Sequence, residues 1–391
     1  MKDFIYYAPT KVFFGKGVEK QVGPTLSAHG FKHVLVHFGS GSVVRNGLLD
    51  IVRQSLTVAG VTWVELGGVE PNPKIALIRE GIEFAKTHKI DCIVAVGGGS
   101  VADSAKGIAM GLSNGMDPWK MISEKIEPVR RFPLAVVLTI SAAGSEMSYS
   151  HVVSDPSSNL KRGFNHDSLR PDFAFENPEY TFGVSPYQTA CGIVDTMMHT
   201  LERYFTADTD NELTDRISEG LLVAVKNAGT RAMADPSDYE ARATLMWAST
   251  LSHNGLTGCG KTPLFPVHKI EHDLSGLHDS ISHGAGLAVL FPAWARYVYK
   301  YDVRKFAQAA VRIWGIEMDH DHPERTALEG IEAMQRYFAS LGLPTTLAEL
   351  GITEQDYPKL IELTTERGTI VIQSYLELGK KEILEIFLLA S

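Results

Sequence analysis

Short apolar runs alternate with amphipathic stretches through the first half of the chain. HVLVHF (33–38), VTWVEL (61–66), IDCIVAV (90–96) and LAVVLTI (134–140) are rich in Val and Ile and stop at glycine or polar residues, which predicts buried strands. Between them, 43–58, 74–88 and the stretch SVADSAKGIAMGL place apolar residues at the three-and-four spacing of one helix face. Strand, helix, strand, helix with Val/Ile-rich strands is the pattern of a parallel sheet covered on both faces. The fold class expected for this part is therefore an α/β domain built on a parallel sheet. From about Ser185 the pattern changes, and PYQTACGIVDTMMHTLERYF, ELTDRISEGLLVAVKNAGTRAMA, YEARATLMWASTLSHNGL and KYDVRKFAQAAVRIWGI all show helical spacing. GVSP breaks the chain near 184, which divides it into an α/β part, 1–184, and an all-α part, 185–391.

The length of 391 residues suits two domains. A net charge of −9 and a pI near 5.9 argue against a nucleic-acid or anionic-membrane surface, but not against a small anion held in one pocket. Cys92, Cys191 and Cys259 lie far apart and form no CxxC, so neither a disulfide framework nor a cysteine zinc site is expected; reduced thiols in the cytoplasm are the simple reading. The opening MKDFIYYAPTKVFFGKG lacks the apolar stretch and cleavage site of a signal peptide, and no apolar run is long enough to span a bilayer.

Gly97, Gly98, Gly99 and Ser100 join a strand to a helix. Glycines there let backbone N–H groups approach a phosphate, and the start of a helix favours negative charge. The run is neither GxGxxG nor a P-loop. The plain alternative is a tight turn with Ser100 as N-cap and Asp103 closing a capping box. After HVLVHF the chain reads Gly39, Ser40, Gly41, Ser42, with Arg45 close behind and no acid to hold a ribose hydroxyl. A dinucleotide at this strand end would be NADP(H) sooner than NAD(H); an ordinary turn with an exposed arginine is the alternative.

Five of the 14 histidines fall between His253 and His283. Asp195 and His199 stand at i and i+4 of a helical pattern and share one face, and His268 and His272 repeat that spacing. A surface i,i+4 contact would explain the first pair alone. The second cluster adds imidazoles in a segment with little other charge, where a shared divalent cation accounts for them together. Spacing does not choose among His268, His272, His278 and His283 as partners of Asp195 and His199. A metal with an open position polarises a carbonyl or alkoxide oxygen, and a nicotinamide against the same carbon carries hydride; the cleft between an α/β cofactor domain and a helical metal domain is where the two are expected to meet.

These residues together resemble the iron-containing (group III) alcohol dehydrogenases, in the branch of butanol dehydrogenases and NADPH-dependent aldehyde reductases. The likeness runs from Phe14, Gly15 and Gly17 through EPNP (70–73), GGGSVADSAK (97–106), GSE (144–146) and CGIVDTMMHTLERYF (191–205) to the histidines at 268–283. It implies a Rossmann-like α/β amino-terminal domain and an all-α carboxy-terminal domain, the architecture shared with dehydroquinate synthase, and a reaction between NADP(H), or NAD(H), and a small butanol-like primary alcohol or its aldehyde. It also implies Fe2+ or Zn2+ on Asp195, His199, His268 and His283, with His272 as a neighbour that handles protons. Gly98, Gly99 and Ser100 would hold the pyrophosphate; Asp103, Asn72, Thr139, Ser148 and Lys161 would line the cofactor; Gly39, Ser40 and Ser42 would form the 2′-phosphate pocket. A homodimer is the expected assembly, with no nucleic-acid or membrane partner. The sequence departs from the family in two notable places: Ala143 stands where a threonine is usual, and one extra residue separates His272 from His283.

Overall fold

The computed structural model describes every residue from Met1 to Ser391 except Asn159 and Thr209. The chain forms two compact units: Tyr7–Val184 with Ser249–Asn254, and Met1–Tyr6 with Ser185–Ala248 and Gly255–Ser391. The two short excursions were not visible in the hydrophobic pattern. Met1–Tyr6 joins the helical unit, where Lys2 Nζ pairs with Asp208 at 2.6 Å. Ser249–Asn254 joins the α/β unit, where Thr250 Oγ1 donates to Glu146 and Glu176 and the Asn254 carbonyl accepts from Arg170.

The α/β unit holds a six-stranded sheet of β1 (Lys11–Phe14), β2 (His33–Gly39), β3 (Thr62–Val69), β4 (Cys92–Gly97), β5 (Leu134–Leu138) and β8 (Phe173–Glu176). β6 (Ser150–Asp155) and β7 (Leu160–Asn165) form a separate antiparallel pair. All neighbours in the large sheet run parallel, in the order β1-β8-β5-β4-β2-β3. Alternate residues serve opposite faces. Leu35, Ile93, Ala95 and Val136 pack with residues of Ile75–His88 and Gly99–Asn114, while Val34, Val36, Val94, Val96 and Val137 pack with residues of Leu48–Val58. β1 and β8, each of four residues, are too short for periodicity to reveal. The helix expected over 43–58 divides into Ser42–Arg45 and Leu48–Val58, because Gly47 adopts φ +79 between them.

The strand order sets where a ligand can enter. From β2 the chain moves outward to β3 and then returns to β4 on the other side of β2, so the direction of winding reverses between β2 and β4. In open parallel sheets the crevice at the carboxyl ends of such a strand pair is left uncovered by crossover helices. Gly39–Ser42 and Gly97–Ser100 lie at these two ends.

Among the described residues the second unit is helical apart from one small antiparallel pair, Ile372–Gln373 with Glu377–Leu378, which departs from the expectation of helix alone. Its central helix, Pro186–Tyr204, starts with Ser185 accepting from Gln188 N–H and with proline at the first turn, and is buried from Thr189 onward. Helices Pro266–Leu277 and His283–Val298 complete the part that concerns function. Phe291 and Trp294 lie in the interior, whereas Trp247 is 40% exposed. Among the described residues no helix is long and apolar enough to cross a membrane.

Candidate metal centre and cofactor loop

Asp195 and His199 project from one face of the buried helix Pro186–Tyr204, and both are 5% exposed. They are not the surface pair that spacing alone allowed. Around Asp195 Oδ1 the nearest ring nitrogens are His199 Nδ1 at 3.5 Å, His268 Nε2 at 3.7 Å and His283 Nε2 at 3.7 Å. His268 is the third residue of its helix, and His283 is the first residue of the next. Residues 278–282 form the turn that links these two helices. His272 is half-buried, its ring 5.4 Å from that of His283. The ligand atoms of Asp195, His199 and His268 lie within 4.8 Å of one another, as do those of Glu271, His272 and His283. His278 is in neither group.

Four observations bear on whether this set suits a cation. Four tetrahedral ligands at about 2.1 Å from a metal lie about 3.4 Å apart, close to the separations from Asp195 Oδ1. Asp195 Oδ1 and His268 Nε2 are buried without a hydrogen bond. Burial would raise the Asp195 carboxyl, yet the His199, His268 and His283 imidazoles hold it below the usual carboxylate range. Burial likewise opposes charge on His268, but Glu202 and Asp195 push it up to about 9, the signature of a field that calls for a positive charge. The residues therefore fit a divalent cation. The His283 side chain is 25% exposed against 7% for His268 and Asp195, so access is from the side of His283 and His272.

Two glutamates behind the imidazoles were missed by the sequence reading. Glu202 Oε2 contacts His268 Nδ1, and Glu271 Oε2 contacts His283 Nδ1. Glu202 also accepts from the backbone N–H of Val267 at 2.7 Å and of His268 at 3.3 Å. It thereby satisfies donors at the start of a helix that has no side-chain cap of its own. A carboxylate three residues after His199 and after His268 was the available signal, but each glutamate serves a histidine on a different helix.

In the α/β unit the glycine turn differs from the capping box considered as its alternative. The helix starts at Gly99, with Gly98 as N-cap and no side-chain cap. Asp103 instead accepts from Ser145 Oγ at 2.6 Å and Val152 N–H at 3.0 Å, tying the helix to the segment around β6. Ile140 Cγ2 fills the place of a Gly98 Cβ, at 2.4 Å, so this glycine also permits close packing. Ser100 and Thr139 are half-buried nearby, and Thr139 N–H donates to the Gly97 carbonyl. Asn72 takes φ +53 in the turn after β3.

Ser148 is buried, and its hydroxyl is engaged by Lys106 and the Ser150 carbonyl. Lys106 itself is fully buried on the Ser148 and Ser150 oxygens, and burial brings its amine down to about 8. Lys161 is 5% exposed, so it is not a solvated loop lysine. Gly39 is half-buried while Ser40 and Ser42 are exposed, and the Arg45 guanidinium lies 2.9 Å from the place of a Gly41 Cβ. The immediate end of β2, from Gly39 to Arg45, carries no acid.

Residues 9–178 match the family described as iron-containing alcohol dehydrogenase, and residues 189–390 match its C-terminal part. The chain belongs to the iron-containing alcohol dehydrogenase family. It falls in the butanol dehydrogenase and aldehyde reductase branch, and as a member it is an oxidoreductase that works with a nicotinamide cofactor and a divalent metal. It is 39% identical over 388 residues to NADH-dependent butanol dehydrogenase A of Clostridium acetobutylicum, covering 99% of each chain. It is 33% identical to the NADPH-dependent aldehyde reductase YqhD of Escherichia coli, covering 94% of each. The crystal structure of NADH-dependent butanol dehydrogenase A from Thermotoga maritima matches with a TM-score of 0.96 at 35% identity, covering 100% of this chain and 99% of that one. The YqhD structure matches at 0.94 and 31%, with the same coverage.

Proposed function

We propose that the protein interconverts a small primary alcohol of butanol-like size and its aldehyde, mainly as an NADP(H)-dependent aldehyde reductase. The observation that carries this reading is the convergence of three ring nitrogens on Asp195 Oδ1 at 3.5–3.7 Å. Asp195, His199, His268 and His283 would hold the metal; three imidazoles and a carboxylate suit Fe2+ and Zn2+ alike. A cation held there supplies a Lewis acid for a carbonyl or alkoxide oxygen, and a bound nicotinamide carries the hydride. The rest is the work of the chain. His272, half-buried next to His283, is positioned to give a proton to a product alkoxide or take one from an alcohol. Gly98, Gly99 and Ser100 at the start of their helix would receive the pyrophosphate, with Asn72, Thr139 and Lys161 around it. Asp103 and Ser148, whose groups are engaged within the protein, would shape this pocket from behind.

The 2′-phosphate would sit at Gly39, Ser40 and Ser42, where small residues and Arg45 replace the acid that an NAD ribose would use. The names of the Clostridium acetobutylicum and Thermotoga maritima relatives favour NADH instead, so cofactor choice is part of the test. Metal-loaded protein mixed with butyraldehyde should oxidise NADPH, and faster than NADH. His268→Ala should abolish turnover and lower metal content. Full activity in metal-stripped protein would contradict the proposal, and faster NADH oxidation would overturn its cofactor assignment.

A further inference from the structure

Resting on that reading, we propose that Glu202 and Glu271 are positioning residues that set how tightly the site holds its metal. Each is buried and meets the Nδ1 side of one imidazole, while the Nε2 sides of the same rings lie 3.7 Å from Asp195 Oδ1. A carboxylate on Nδ1 keeps the proton on that nitrogen, leaves the Nε2 lone pair for a cation, and fixes the ring plane. Charge balance points the same way. Asp195, Glu202 and Glu271 bring three buried carboxylates to one site, an arrangement that a bound dication stabilises.

The two glutamates have unequal duties. Glu202 also accepts from the backbone N–H groups of Val267 and His268, so it anchors the helix as well as the ring. Glu271 lies on the same helix as His268 but orients His283 across to the next one. Room for it depends on Gly286, where a Cβ would lie 2.8 Å from Glu271 Cγ and 2.9 Å from Oε1. Gly286→Ala thus displaces this carboxylate without altering a ligand.

The test titrates the metal-stripped full chain with Zn2+ against a competing chelator, alongside thermal melting without metal. Wild type should bind one Zn2+ that Asp195→Asn fails to hold. Glu271→Ala and Gly286→Ala should weaken zinc binding about 10–100-fold with the metal-free melting temperature little changed. Glu271→Gln, whose carbonyl oxygen still accepts from Nδ1–H, should recover part of that loss. Glu202→Ala should weaken zinc binding and also lower the melting temperature. If Glu271→Ala and Gly286→Ala hold zinc as tightly as wild type while Asp195→Asn does not, the positioning role is overturned and the metal site stands. If Asp195→Asn binds zinc as wild type does, the metal reading fails and this inference with it.

Discussion

Gly284 lies next to His283, where the helix His283–Val298 touches the helix Pro186–Tyr204. A Cβ on residue 284 would lie 2.2 Å from the Cys191 carbonyl oxygen and 2.6 Å from its Cα. Comfortable carbon contacts begin near 3.5 Å, so Gly284→Ala must drive the two helices apart by about 1 Å. Both obstructing atoms are backbone and cannot turn aside. The displacement falls between Asp195 on one helix and His283 on the other, whose Oδ1 and Nε2 now stand 3.7 Å apart. Overpacking of this kind costs about 1–3 kcal/mol of stability, and a shift near 1 Å at a reacting centre costs on the order of 100-fold in turnover. Gly220 is the matched control, since it lies inside the helix Glu212–Ala234 with nothing within 4 Å of its missing Cβ. Gly220→Ala should stabilise by about 0.5–1 kcal/mol and leave turnover alone. Urea unfolding, metal content and aldehyde reduction measured on both variants check this. Wild-type metal content and turnover in Gly284→Ala would refute the reasoning, as would equal losses in the two variants.

Two further perturbations test other parts of the account. Gly39→Asp is a mild change at the backbone, because the new Cβ meets only Val69 O at 3.4 Å and Val101 Cγ2 at 3.8 Å. Its carboxylate should raise the KM for NADPH roughly 10-fold or more and favour NADH; an unchanged NADPH-to-NADH ratio would remove the 2′-phosphate from this strand end. His37 is buried, its ring bonded to the Leu66 carbonyl and Ser104 Oγ, and burial lowers its pKa from 6.5 to about 4. The unfolded chain takes up this proton below about pH 6.5 and the folded chain only near 4, so stability present above 6.5 drains away across that window, by about 3 kcal/mol for this residue. In metal-stripped protein, His37→Gln should show a smaller fall in urea midpoint between about pH 7 and about pH 4.5 than wild type, and an identical fall would contradict the assignment.

What the sequence revealed follows from what periodicity can carry. β2, β4 and β5 are continuous apolar runs because both faces of a parallel strand are covered, and they were legible for that reason. β1 and β8 were not, since four residues carry little pattern, and their place at the far side of the sheet is decided by pairing over long separations. The transfer of Ser249–Asn254 to the α/β unit depends on Thr250 reaching Glu146 and Glu176, which no local signal encodes. At the metal centre, i,i+4 spacing identified Asp195 with His199 and left the choice among the later histidines open. Family resemblance narrowed that choice, and the fold brings His268 and His283 to Asp195 while leaving His278 aside. Glu202 and Glu271 stayed hidden because their partners are on other helices. The glycine turn was read correctly as a strand-to-helix junction, but its capping chemistry was not: Asp103 turns to Ser145 and Val152, which lie far along the chain.

The central claim is that Asp195 and the three imidazoles around it form one divalent-metal site on which turnover depends. The direct measurement is elemental analysis of the purified chain and of Asp195→Asn, with NADPH-linked butyraldehyde reduction assayed on the same samples before and after chelation and again after Fe2+ or Zn2+ is restored. The account predicts one metal per wild-type chain, activity that falls and returns with it, and neither metal nor activity in Asp195→Asn. Unimpaired reduction by metal-free wild type, or a full metal complement in Asp195→Asn, would contradict it.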